Sequence, residues 1–194
     1  MHLSSDGVIM VMHDVTLDRT TSLSGPLAQT PASVMQAAGV PTLYGLSDLT
    51  KNRIILVVET KDGDGIERMV AGMLRSRGMV EQSIVLSFGG DRIRRIKSWN
   101  LSQYGVWLVG ADQPDSNLPA LLENIRRHKA DAVGFPFPNV TPKLIEALHE
   151  QKIPVFVWTV SPGAEIDRLK SLGVNFIITN HPTDVIRQLA GNQD

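Results

Sequence analysis

The sequence contains no cysteine. That excludes a disulfide framework, a zinc–thiolate centre and a thiol nucleophile, and it fits a reducing compartment such as the cytoplasm. No run approaches the roughly 20 consecutive apolar residues that span a bilayer, so no transmembrane segment is expected. A net charge of −1 gives no basic excess to draw the chain to nucleic acid or an anionic membrane. No signal peptide, low-complexity segment or linker interrupts the 194 residues, which read as one domain, 1–194. With 42% apolar and 20% charged residues the composition is that of an ordinary globular protein.

What is present is an alternation. Short β-branched runs at Ile54–Glu59, Ser83–Phe88, Tyr104–Val109, Asp131–Phe135, Pro154–Val160 and Val174–Thr179 are apolar on both faces, as buried parallel strands are. Between them lie amphipathic stretches, Ile66–Arg77, Asp91–Trp99, Pro119–Lys129, Pro142–Gln151 and Ala164–Leu172, that predict helices. Thr141 before Pro142 signals a helix start, and Gly78 and Gly173 signal helix ends. Repeats of this kind imply parallel strands with right-handed crossovers. Periodicity leaves two architectures open, a doubly wound sheet and a βα barrel. The opening differs: Asp6-Gly7 is a hairpin signal, and Val8–His13 predicts its second arm. Only five residues precede the turn, so the chain is expected to start inside an element.

In parallel βα folds, chemistry gathers at the C-terminal ends of strands. Alternation places Ile55, Val57, Glu59 and Lys61 on one side of their strand, so a carboxylate and an ammonium leave a buried run together. Such a pair suits a divalent cation beside an anionic oxygen, or equally a plain salt bridge. His13 ends its run on the face of Ile9 and Val11, followed by Asp14 and the polar cluster Arg19-Thr20-Thr21. Histidine is suited to proton transfer near neutrality, although a strand-end histidine is more often structural. Asp62-Gly63-Asp64-Gly65 begins like a calcium loop but lacks the later acidic ligands. Arg92, Arg94, Arg95 and Lys97 read as a solvated face, and Gly89-Gly90 as a βα turn or a phosphate-facing helix start. His2, His128, His149 and His181 show no metal-ligand spacing and receive no role.

Taken in order, Asp6-Gly7, His13-Asp14, Leu17-Asp18-Arg19-Thr20-Thr21, Pro41-Thr42-Leu43, Glu59-Thr60-Lys61, Ser87-Phe88, Trp158-Thr159-Val160, Gly173-Val174 and Ile178-Thr179 resemble the glycerophosphodiester phosphodiesterase family. The segment from Asp6 to Thr21 is the most specific part. The resemblance implies an α/β fold of the TIM-type (β/α) barrel, here incomplete and lacking the first two strands, since about 250 residues are typical of a full barrel. It implies hydrolysis of glycerophosphodiesters to sn-glycerol 3-phosphate and an alcohol. His13 is implied as an acid/base, Lys61 as the cation that neutralises phosphate charge, Glu59 as a ligand of Mg2+ or Ca2+, and Phe88 and Trp158 as pocket walls.

The family's His-Arg-Gly and Glu-x-Asp motifs are absent, as if the chain began inside a longer reading frame. The expectation is therefore a cation bound weakly or not at all, poor turnover, and self-association through open barrel edges. Smaller departures are Ser161 for the usual Asn and Asn180 for the usual Asp. Two other readings stay open: a non-catalytic protein that binds a phosphate ligand, and a phospholipase of sphingomyelinase D type.

Overall fold

The computed structural model describes residues 1–61, 63–110 and 114–191. Its contacts divide into two compact units, Met1–Ser87 with Asp91–Gly105, and Phe88–Gly90 with Val106–Asp194.

The first unit opens with a hairpin. β1 (His2–Leu3) and β2 (Ile9–Met10) pair antiparallel with Leu3 opposite Ile9. The turn is set by Ser4 and Asp6: the Ser4 hydroxyl donates to Asp6 Oδ1 at 2.7 Å, and Gly7 takes φ +77°. A polar loop leads to α1 (Ala32–Ala37) and α2 (Leu43–Thr50), the latter capped by Thr42, whose hydroxyl accepts from the Gly45 amide. β3 (Leu56–Glu59) and β4 (Ser83–Ser87) run parallel, joined by α3 (Ile66–Ser76). Helix α3 buries Ile66, Val70, Ala71 and Leu74, one stripe at helical spacing, with Leu56 and Val58 of β3. Gly78 at φ +65° ends this connection. α4 (Gly90–Trp99) follows and buries Ile93 and Ile96.

In the second unit β5 (Tyr104–Leu108), β6 (Ala132–Pro136), β7 (Val155–Trp158) and β8 (Phe176–Ile177) pair parallel in sequence order, Val133 opposite Val155 and Phe156 opposite Phe176. Order without reversal is what a barrel requires, whereas a doubly wound sheet reverses at a switch point. α5 (Leu118–His128), α6 (Pro142–Glu150), α7 (Ala164–Ser171) and α8 (Pro182–Ala190) make the crossovers and the end. As the sequence indicated, the Thr141 hydroxyl accepts from the Leu144 amide at 3.1 Å. Phe135, Leu144, Leu148, Val155, Val157 and Ile166 build the core. Gly90 is required by close approach: a Cβ there would lie 2.1 Å from the His128 ring.

Three expectations are corrected. The Ile54–Glu59 run is not buried on both faces: it forms a strand only at Leu56–Glu59, and Ile55 and Val57 are 60% and 46% exposed. The Val8–His13 run forms a strand only at Ile9–Met10, because Val11 instead donates its amide to Pro41 O. The basic stretch of α4 is not simply solvated. Arg92 and Arg95 both donate to Glu67 Oε1, at 2.9 and 2.6 Å, and Glu67 is only 6% exposed. Asp62, with its place in the Asp-Gly-Asp-Gly run, and the polar end 192–194 lie outside the described residues.

Burial raises the Glu67 carboxyl pKa, but the Arg95 hydrogen bond and the charges of Arg92 and Arg95 outweigh it, so the net shift is downward. A lowered folded-state pKa contributes stability above the unfolded carboxylate range, lost as pH falls through the folded value. Glu67→Gln is expected to cost about 1–3 kcal/mol at neutral pH, discounted because the arginines are partly solvated. Urea denaturation of both proteins at neutral and acid pH checks this: the gap should narrow as pH drops below the carboxylate range.

Candidate active site

The site in the first unit is assembled by the end of β3. Thr60 points into the interior at 1% exposure, and its amide bonds Leu86 O at 2.9 Å. With Thr60 inward, alternation turns Glu59 and Lys61 to the other face, as the sequence indicated. Lys61 Nζ lies 3.1 Å from Glu59 Oε1. The pair is close enough for an ion pair, yet Oε1 accepts no aligned hydrogen bond and is shut off from solvent. The contact is therefore electrostatic and not an aligned hydrogen bond.

The hairpin is fastened to this strand end. The Met1 ammonium donates to Glu59 O at 2.6 Å, and the Lys61 amide donates to Met1 O at 3.3 Å, the pattern of a parallel bridge. His2, 4% exposed, bonds through Nε2 to His13 O at 3.1 Å. A carbonyl can only accept, so the proton of this bond belongs to His2 Nε2. His13 is thereby held three residues beyond β2 with its ring exposed, off the buried side that Ile9 occupies.

His13 Nε2 lies 3.2 Å from Lys61 Nζ, and His13 Nδ1 lies 2.8 Å from Asp14 Oδ1. An ammonium has no acceptor, so Lys61 donates to Nε2 when the imidazole is neutral, leaving the ring proton on Nδ1 facing Asp14. Arg19 closes the set, donating from Nε to Asp14 Oδ2 at 2.5 Å and from a terminal nitrogen to Oδ1 at 3.1 Å. The Arg19 hydrogen bond, then that of His13, holds the Asp14 carboxyl well below the ordinary carboxylate range. The loop returns Arg19 to Asp14 because Leu17 between them is fully buried against Met10, Leu27 and Met35. Three predicted residues, His13, Glu59 and Lys61, therefore meet around one ammonium.

The other two predicted residues pair with each other in the second unit. Phe88 and Trp158 pack edge to face, centroids 5.6 Å apart at 87°. The Trp107 indole donates to Phe88 O at 3.1 Å, which fixes the backbone that carries the ring. Phe88 remains 49% exposed.

A hard divalent cation takes six or more oxygens, several from carboxylates. Among the described residues no group of three His, Cys, Asp or Glu side chains could hold one, and Glu59 already faces an ammonium. These residues do not fit a cation site by themselves. Sequence reasoning missed His2 and left the Asp14–Arg19 pair without a partner. The first signals nothing in a linear pattern, while the six-residue span from Asp14 to Arg19 across an apolar Leu17 was a legible hint.

A family model for the glycerophosphoryl diester phosphodiesterase family matches residues 1–184. The glycerophosphodiester phosphodiesterase of Caldanaerobacter subterraneus is 28% identical over 206 positions, covering 96% of this chain and 82% of that protein. A solved structure from Agrobacterium tumefaciens superposes with a TM-score of 0.87 at 22% identity, covering 97% of this chain and 83% of that one. The Oleispira antarctica phosphodiesterase, solved with its product sn-glycerol 3-phosphate, gives 0.83 at 16% identity, with 98% and 83% covered. These likenesses carry the barrel fold, and the family match spans nearly the whole sequence. The chain belongs to the glycerophosphoryl diester phosphodiesterase family.

Proposed function

We propose that this chain is a phosphodiester hydrolase acting on glycerophosphodiesters, releasing sn-glycerol 3-phosphate and an alcohol. The observation that carries the reading is the contact of His13 Nε2 with Lys61 Nζ at 3.2 Å, a proton-transfer group beside a fixed cation. A phosphate oxygen entering there meets the Lys61 ammonium, which offsets charge as the phosphorus gains its fifth oxygen. His13 then moves a proton at Nε2, as base to the attacking oxygen or acid to the leaving one. Glu59, with Oε1 at 3.1 Å from the ammonium, holds Lys61 in place. In the second unit by itself, the edge-to-face pair of Phe88 and Trp158 presents an apolar surface of the kind that packs against the carbon part of a ligand.

The same geometry argues for slow turnover. His13 is the one imidazole set against Lys61 among the described residues, and Glu59 the one carboxylate. A single acid/base group accelerates far less than two coupled ones. The site therefore also favours a second reading, retention of a phosphate ligand without chemistry. Hydrolysis of glycerophosphocholine, followed as glycerol 3-phosphate with and without Mg2+ or Ca2+, separates the two.

Slow release is expected, falling at least about tenfold in His13→Ala and in Lys61→Met. No release, with calorimetric binding of glycerol 3-phosphate retained, supports the ligand-binding reading. Turnover equal to that of the Caldanaerobacter subterraneus relative refutes the expectation of slow release. Trp158→Ala is expected to raise KM more than it lowers kcat, since the ring binds and does not react.

Ile54, Ile55 and Val57 are exposed apolar side chains on β3 and the residues before it in the first unit. Exposed strand edges and apolar patches promote pairing. Light scattering across a concentration series is expected to show self-association that Val57→Lys weakens; a monomer at every concentration sinks this expectation.

A further inference from the structure

Resting on the reading of His13 as the proton-transfer group, we propose that Asp14, clamped by Arg19, is a positioning residue that sets the His13 tautomer. It holds the ring proton on Nδ1 and thereby turns an unprotonated Nε2 toward Lys61. The resemblance assigns roles to His13, Lys61 and Glu59, and none to Asp14 or Arg19.

Four observations converge. Asp14 Oδ1 meets His13 Nδ1 at 2.8 Å, the distance of a charge-assisted hydrogen bond. Arg19 grips both carboxylate oxygens, at 2.5 and 3.1 Å, so the carboxylate cannot swing away without breaking two bonds. The backbone between them is immobilised at Leu17: its side chain is buried, its amide bonds Gly25 O at 3.0 Å, and its carbonyl accepts from the Thr21 hydroxyl at 2.8 Å. The His2 bond to His13 O fixes the main chain from which the imidazole projects.

The charged groups in contact with His13 are Asp14 on Nδ1 and Lys61 on Nε2, with Arg19 behind Asp14 and Glu59 behind Lys61. Without Asp14, Nδ1 loses its acceptor, and a ring that is 71% exposed is free to rotate into water. A carboxylate that orients an imidazole through its second nitrogen is a recurrent device for making the first one an effective base. Here the carboxylate comes from the next residue in the chain. Adjacent side chains rarely hold such geometry unaided, and the Arg19 clamp supplies the missing restraint.

The test uses the whole chain labelled with 15N and correlates ring nitrogens with ring carbons' protons on the alkaline side of the ordinary histidine range. His13→Gln identifies the His13 signals among the five histidines. In the unsubstituted protein the Nδ1 signal is expected at the protonated position and Nε2 at the unprotonated one. In Asp14→Ala the two are expected to move toward each other, as the tautomers and ring orientations average. Arg19→Met is expected to shift them in the same direction by a smaller amount, and Arg19→Lys less still. His13 and Arg19 are solvent-facing and Asp14 is half-buried, and matching circular dichroism confirms that each variant folds.

An Nδ1/Nε2 pattern unchanged in Asp14→Ala overturns the proposal, as does an unsubstituted protein whose His13 proton sits on Nε2. The readout does not depend on turnover. Averaging in Asp14→Ala without any hydrolysis by the parent chain upholds the positioning role and refutes the hydrolase reading. Hydrolysis with an unmoved tautomer does the reverse.

Discussion

The site depends on a short backbone clasp. Met1 sits against β3 with its nitrogen bonded to Glu59 O and its carbonyl accepting from the Lys61 amide. That clasp carries the hairpin to the strand end from which Glu59 and Lys61 emerge. One residue further on, His2 bonds the His13 carbonyl and brings the imidazole to the same place. Two backbone hydrogen bonds and one side-chain bond thus convert a separation of 48 residues into a contact of 3.2 Å. Each bond is worth only about 1 kcal/mol net, but together they fix direction, which is what proton transfer requires.

Around that clasp the charges are arranged in alternating sign. Arg19, Asp14, His13, Lys61 and Glu59 follow one another, each within contact of the next. Alternation limits the cost of grouping so many ionisable side chains, because each faces an opposite or neutral partner. It also gives the imidazole two unlike neighbours, a carboxylate on one nitrogen and an ammonium on the other. A phosphate arriving at Lys61 would exchange one acceptor for another, without leaving the ammonium unpaired at any point. The Glu67 cluster on α3 and α4 uses similar chemistry for a different end. There two guanidiniums stabilise one buried carboxylate, and the result is structural.

Much of the second unit was legible because its signals are local. The Thr141-Pro142 start, the apolar stripes of α5 to α7 and the β-branched runs of β6 and β7 each depend on residues within a turn or two. Boundaries moved by one or two residues, as frayed ends do. The hairpin arm was less legible, since Val8–His13 looks like a strand by composition while its Val8 amide goes to the Ser4 hydroxyl and its Val11 amide to Pro41. The exposure of Ile55 and Val57 was not legible either. Burial of a strand face is decided by what packs over it, and β-branched residues carry the same pattern whether or not a neighbour covers them.

By itself the sequence determined the βα alternation, the shared face of Glu59 and Lys61, and the likeness of the Asp6–Thr21 segment to a family of phosphodiesterases. Period-two geometry and short-range capping suffice for the first two, and ordered motifs for the third. Only the tertiary structure decided that His13 reaches Lys61, that His2 supports it, and that Arg19 folds back onto Asp14. Those outcomes rest on hydrogen bonds between residues far apart in the chain or separated by a buried turn. Linear spacing does not encode direction in space, and direction is what a hydrogen bond demands.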